Sequence, residues 1–188
     1  MPDFKLLFVH GYTASSKADW YPRLTKMLDK LGVDYAVPDL PGETNPHSPE
    51  WLEIIDREVR RSEKPVVLIG HSLGTRAVLL YLDQYKQPVQ AVFLIAAFAN
   101  RTENADRWDG ETYPDFFEYV IDTTKIKRLS QSFTVLHSVD DDSIDYEQGQ
   151  EIAKDLDAKL ITVEDRGHLF QPTNAELILQ TLRNELHF

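Results

Sequence analysis

Gly70, His71, Ser72, Leu73 and Gly74 spell G-x-S-x-G, and the residues on either side place the motif in a particular context. Before it runs Val66-Val67-Leu68-Ile69, an uninterrupted apolar stretch of the kind that forms a strand covered on both faces. After it, Ala77, Leu80 and Tyr81 share one helical face. Strand, sharp turn and helix together are the setting of a nucleophile elbow. The serine is held in a strained conformation with its hydroxyl presented at the strand's C-terminal edge, and a Cβ two residues before or after it would strike neighbouring backbone. The competing reading is a glycine-rich turn with an incidental serine. The chemistry the motif points to is acyl transfer, with Ser72 as nucleophile.

A serine hydroxyl is a weak nucleophile and needs a base within hydrogen-bond reach, itself oriented by a third group. After an elbow of this kind the acid comes first and the histidine second, each on a loop following a later strand. Both loops are present. Phe133 to His137 reads as a strand and runs into Ser138-Val139-Asp140-Asp141-Asp142, while Leu160 to Val163 runs into Asp165-Arg166-Gly167-His168. His168 follows a glycine in a loop, a poor place for a core residue and a good one for a base. The residues alone leave Asp140, Asp141 and Asp142 open as the acid.

A tetrahedral oxyanion needs backbone donors. His10-Gly11 ends the first apolar run, and the N–H just beyond that strand normally acts with the N–H after the serine, which nominates Tyr12 and Leu73. A plain strand-ending turn at His10-Gly11 is the alternative. His71, inside the elbow, is expected to point away from the site, and His47, His137 and His187 read as structural or solvated. The three consecutive aspartates could attract a hard cation, but they lack the alternating ligands, bend glycine and distal glutamate of a calcium loop. No metal and no cofactor is expected.

The elements that must position these residues alternate in type. Phe4 to Val9, Tyr35 to Val37, Val66 to Ile69, Ala91 to Ala97, Phe133 to His137 and Leu160 to Val163 read as six strands. Between them lie helical patterns: Trp20 to Leu31 with Pro22 in its first turn and Gly32 at its stop, a helix opened by Ser48-Pro49, one after Ser72, and Tyr146 to Leu156. A final helix begins at Thr173, with Thr173 and Glu176 at capping-box spacing. This is an α/β pattern with a largely parallel sheet. From Asn100 to about Gln131 the chain is an excursion with short helices, carrying Trp108, Tyr113, Phe116, Phe117 and Tyr119, and could cover the site. Residues 1–188 show no repeat or linker and are expected to form one domain.

The formal charge of -11 works against nucleic acid and anionic membrane surfaces. No apolar run reaches the length of a signal-peptide core or a membrane span, and there is no cysteine, so a cytoplasmic protein is expected. A protein partner is possible but not indicated; the expected partner is a small acyl substrate.

Taken together, Phe8-Val9-His10-Gly11-Tyr12, Asp19-Trp20-Tyr21-Pro22, Gly70-His71-Ser72, Ser138-Val139-Asp140-Asp141 and Gly167-His168 resemble the small serine hydrolases of the YdeN and retinoblastoma-binding-protein-9 type, over nearly the whole chain. The resemblance implies a reduced α/β-hydrolase fold, with strand order 2-1-3-4-5-6 and little or no cap. The family's acid motif, similar to S-x-D-D-x-x-V-P, implies Asp141 as the acid, although Ile144-Asp145 stand where the family usually has an apolar residue and proline. The expected activity is hydrolysis of an ester or related activated acyl compound by Ser72, His168 and Asp141. The alternative is a binding module that keeps the fold without catalysis.

Overall fold

Short β-branched and leucine-rich runs separated by amphipathic helices have one economical packing, a parallel sheet with helices on both faces. The computed structural model describes residues 2–106 and 113–188, so Trp108 lies outside the described residues. Strands β1 (Lys5–Val9), β2 (Asp34–Ala36), β3 (Val66–His71), β4 (Ala91–Ile95), β5 (Phe133–Ser138) and β6 (Lys159–Val163) form one sheet in the order β2-β1-β3-β4-β5-β6. Every neighbouring pair is parallel. Helices α1 (Tyr21–Leu31), α2 (Ser48–Arg60), α3 (Leu73–Tyr85), α4 (Thr123–Ile126), α5 (Tyr146–Leu156) and α6 (Ala175–Leu186) lie between and after the strands.

Alternation along each strand divides the core into two layers. Leu7, Val9, Leu68, Leu94 and Val135 join Trp51 and Ile55 of α2, Ala77 and Leu80 of α3 and Ile152 of α5. Leu6, Phe8, Val67, Ile69 and Phe93 face the other way, against Trp20, Leu24 and Leu28 at α1 and Ile178 and Leu182 of α6. β3 is buried along its entire length, through Gly70 and His71 as well as the apolar run of residues 66–69.

Pro22 sits in the first turn of α1, and Gly32 closes it with φ of 65°. The capping box expected at Thr173 and Glu176 does not form. Pro172–Asn174 makes a 3₁₀ turn that draws Thr173 inside the helical path, Asn174 becomes the N-cap without a side-chain bond, and Glu176 pairs instead with Arg23 of α1.

The excursion after β4 is built from short turns at Thr102–Ala105, Pro114–Phe116, α4 and Lys127–Leu129. The buried guanidinium of Arg76 on α3 ties it down, donating to the carbonyls of Phe116 at 2.6 Å and Tyr119 at 2.5 Å and to Asn100 Oδ1 at 2.7 Å. Burial pulls this guanidinium down to about 10, and three acceptors offset its desolvation. Among the described residues no helix is long and apolar enough to cross a membrane.

Strand order reverses between β1 and β3: β2 lies on one side of β1 and β3 on the other. The crevice outside the carboxyl ends of such strands is where open α/β sheets bind ligands. Ser72 leaves β3 there and Tyr12 follows β1.

Candidate active site

Ser72 has φ 53° and ψ −124°, a conformation a residue with a Cβ rarely adopts, at a cost on the order of 1–3 kcal/mol. Its surroundings hold it there. The Ser72 N–H donates to the Ile95 carbonyl at 3.0 Å, and the Ser72 carbonyl accepts from the Thr75 N–H at 2.9 Å and its hydroxyl at 2.6 Å. Neither glycine of the motif has room for a side chain. A Cβ on Gly74 would lie 2.1 Å from the Val9 carbonyl oxygen, and one on Gly70 would lie 2.6 Å from that of Gly74.

Leu73 is the first residue of α3, where backbone N–H groups have no intrahelical acceptor. Tyr12 is oriented from behind by His10. The Leu40 N–H donates to His10 Nε2 at 2.9 Å, so the ring proton resides on Nδ1, which lies 2.8 Å from the Gly11 carbonyl. Because the peptide is planar and trans, fixing the Gly11 carbonyl also fixes the direction of the Tyr12 N–H. Burial lowers the pKa of His10, in keeping with a neutral ring. The His10 ring thus links the Leu40 N–H to the Gly11 carbonyl. Tyr12, Leu73 and Ser72 line one cleft.

The loops after β5 and β6 bring Asp141 to His168. Nδ1 of His168 lies 3.0 Å from each carboxylate oxygen of Asp141. The carboxylate is buried and also accepts from the N–H groups of Ser143 at 2.9 Å and Ile144 at 3.0 Å. Burial works against its charge, but hydrogen bonds from His137 and His168, the nearby imidazole charge and the Ile144 N–H outweigh it and hold the carboxyl well below the ordinary range. Ile144, where the related motif departs, is buried and supplies one of these donors.

The neighbouring aspartates do different things. Asp140 accepts from the N–H groups of Arg166 at 3.2 Å and Gly167 at 3.1 Å and from the Ser138 hydroxyl, fastening the β5 loop to the segment that carries His168. Asp142 is exposed, and among the described residues its side chain meets only the Ser143 hydroxyl, at 3.3 Å.

One histidine differs from its sequence reading, and a second, structural as expected, makes a contact beyond it. His71 does not point away from the site: its Nε2 donates to the His168 carbonyl at 3.0 Å, and it lines a cleft with Ser72 and His168. Full burial pulls its pKa down to about 3, keeping the ring neutral. His137 is a buried strand residue, but its Nε2 also lies 3.3 Å from Asp141 Oδ2 and 3.0 Å from the Ile144 carbonyl. Nothing in a strand's alternation marks a histidine for either contact.

Two clefts meet at Ser72, and Tyr12, Ser72, Ser143 and His168 border both. One, of about 160 Å³, adds Leu73, Phe98 and Tyr113 and is walled in part by Glu103, Asn104 and Asp106 of the excursion. The other, of about 280 Å³, adds Thr13, Asp19, His71 and Phe170. Ser72 and His168 share no hydrogen bond in this structure. Catalytic bonds of this kind often tighten only when substrate is bound. Among the described residues no group of three His, Cys, Asp or Glu side chains is placed to hold a metal ion.

The model of the family described as serine hydrolase matches residues 6–174. The chain belongs to the serine hydrolase family. Within the family it is similar to YdeN of Bacillus subtilis (strain 168), at 27% identity over 89% of this chain and 86% of the relative. It is also similar to the serine hydrolase RBBP9 of Rattus norvegicus, at 27% identity over 89% of this chain and 86% of the relative. The fold of this serine hydrolase matches the crystal structure of the B. subtilis ydeN gene product with a TM-score of 0.80, at 24% identity, covering 94% of this chain and 97% of the other. It also matches ferulic-acid-bound Est1E of Butyrivibrio proteoclasticus with a TM-score of 0.75, at 17% identity, covering 98% and 89%. The expected reduced α/β-hydrolase fold and strand order are therefore those of this serine hydrolase.

Proposed function

We propose that this serine hydrolase cleaves an ester or a related activated acyl compound through an acyl-enzyme on Ser72. The observation that carries the reading is the buried Asp141 carboxylate 3.0 Å from His168 Nδ1, beside the cleft that Ser72 occupies. With Nδ1–H committed to Asp141, Nε2 of His168 is left as the acceptor that a serine hydroxyl requires.

Ser72 Oγ attacks the substrate carbonyl as its proton passes to His168 Nε2. The oxyanion is held by the N–H groups of Leu73 and Tyr12. Collapse expels the alcohol, which takes the proton from His168 and leaves the acyl group on Ser72. Water, deprotonated by the same imidazole, then attacks the acyl carbon and releases the acid and free Ser72. Asp141 keeps the imidazole in the required tautomer and stabilises its charged form. The cleft with Leu73, Phe98 and Tyr113 takes the acyl chain, because it adjoins the Leu73 N–H and presents aromatic walls. The cleft with His71 and Phe170 takes the leaving alcohol.

The test is turnover of p-nitrophenyl acetate by the wild type and by Ser72→Ala, each checked for folding by circular dichroism. Loss of about 10³-fold or more in kcat is expected, since binding and the oxyanion donors alone remain. Retention of more than a few per cent of activity would remove Ser72 from the reaction.

A further inference from the structure

Asp19 lines the larger cleft together with Ser72, His168 and Phe170. It is half-buried, and among the described residues its carboxylate has no hydrogen bond and no ion pair. Its backbone lies in the left-handed region at φ 52°, which aspartate tolerates better than most residues but which still costs free energy. Burial raises its pKa from the ordinary carboxylate value, while the nearby His168 pulls the other way. A carboxylate partly withdrawn from water and left without a donor is a cost that a bound cation or donor would offset.

The surroundings narrow the choice of ligand. Among the described residues neither cleft has a lysine or arginine on its wall, and His168 is the one basic group there that acts on the Asp19 carboxylate. Phe170 is 43% exposed and presents an aromatic surface in the same cleft, its ring 6.4 Å from that of His168. An anionic group beside an accessible aromatic face is the pairing that recognises alkylammonium ions. The formal charge of -11 draws cations toward the protein at long range. A metal ion would need several ligands, and Asp19 offers one carboxylate.

We propose that Asp19 and Phe170 form a cation subsite on the leaving-group side of Ser72, selecting esters whose alcohol carries an alkylammonium group. This rests on the acyl-enzyme reading above and on the alcohol occupying the Phe170 cleft. The ammonium would sit against the Asp19 carboxylate and the Phe170 ring while the acyl carbonyl faces Leu73 and Tyr12.

The experiment compares kcat/KM for 2-(trimethylammonio)ethyl acetate and for its uncharged isostere, 3,3-dimethylbutyl acetate, in the wild type and in Asp19→Asn. Asparagine keeps the shape and tolerates the same backbone, and circular dichroism checks the fold. The wild type should favour the cationic ester by about tenfold, and Asp19→Asn should bring the ratio of the two close to one, as expected for loss of one charge contact at a partly solvated site. In parallel, tetramethylammonium should inhibit hydrolysis of the uncharged ester competitively in the wild type, and about tenfold less well in Asp19→Asn. A wild-type ratio near one, or a ratio unchanged by Asp19→Asn, overturns the subsite while hydrolysis of the uncharged ester leaves the acyl-enzyme reading standing. Hydrolysis of neither ester, with no fluorophosphonate adduct on Ser72, overturns both.

Discussion

His137 Nε2 lies 3.3 Å from Asp141 Oδ2, and neither side chain is exposed to solvent. The same nitrogen is 3.0 Å from the Ile144 carbonyl, so both neighbours are acceptors and the ring proton belongs on Nε2, shared between them. The carboxylate that faces His168 is thus held from a second imidazole on β5. In the proposed mechanism His137 would act through Asp141, as a positioning residue.

His137→Phe keeps an aromatic ring in the strand and removes the donor. Leaving a buried carboxylate oxygen short of one partner costs about 1–3 kcal/mol, so the urea midpoint should fall. A purely structural role would stop there. With one donor gone, Asp141 concentrates more charge toward His168 and favours its protonated form, so the acid limb of kcat/KM should move to higher pH. A destabilised variant whose acid limb coincides with that of the wild type would confine His137 to packing.

The aspartates of the β5 loop should separate in a kinetic comparison of their asparagine variants. Asp141→Asn removes the charge that stabilises the imidazolium and should cost on the order of 10²- to 10⁴-fold in kcat. Asp142→Asn, exposed and nearly unpartnered, should cost less than about threefold. Asp140→Asn falls between them, because it loosens the bonds to Arg166 and Gly167 that place His168, the next residue. A crippled Asp142→Asn beside an active Asp141→Asn would mean that the loop is misassigned.

Stability should fall as the medium is acidified, in two stages. His71 is lowered from 6.5 to about 3, so between those values the unfolded chain binds a proton that the native one refuses, and stability is lost as pH falls through that interval. The Asp141 carboxyl, held well below its ordinary value, contributes stability that is fully present above about pH 4 and declines below it. His71→Gln keeps a donor toward the His168 carbonyl and removes the titration. The drop in urea midpoint from pH 7 to pH 5 should shrink by about half in this variant. An unchanged drop would place the acid sensitivity elsewhere.

Much of this site was legible in the sequence because its chemistry demands local patterns. Gly70 and Gly74 are required by carbonyl oxygens closer than any Cβ allows, so the elbow announces itself. The order of acid loop and histidine loop follows from the order of strands, and six apolar runs gave six strands. What the sequence did not disclose depends on contacts between distant segments. His71 meets the His168 carbonyl across 97 residues, and Arg76 reaches the Tyr119 carbonyl across 43. A buried strand histidine such as His137 has no periodicity that distinguishes packing from contact with a carboxylate. Thr173 had capping spacing, but Glu176 is drawn to Arg23 across 153 residues, a competition no local pattern records.

Ser72 as nucleophile and His168 as its base are open to one test of both together. The most direct measurement is reaction of the folded protein with a fluorophosphonate, followed by peptide mapping of the adduct by mass spectrometry. A single stoichiometric adduct on Ser72 is expected, formed with a rate that rises as pH increases from 5 to 8 and abolished in Ser72→Ala. Absence of any adduct on folded protein, or an adduct on another residue, would contradict that assignment.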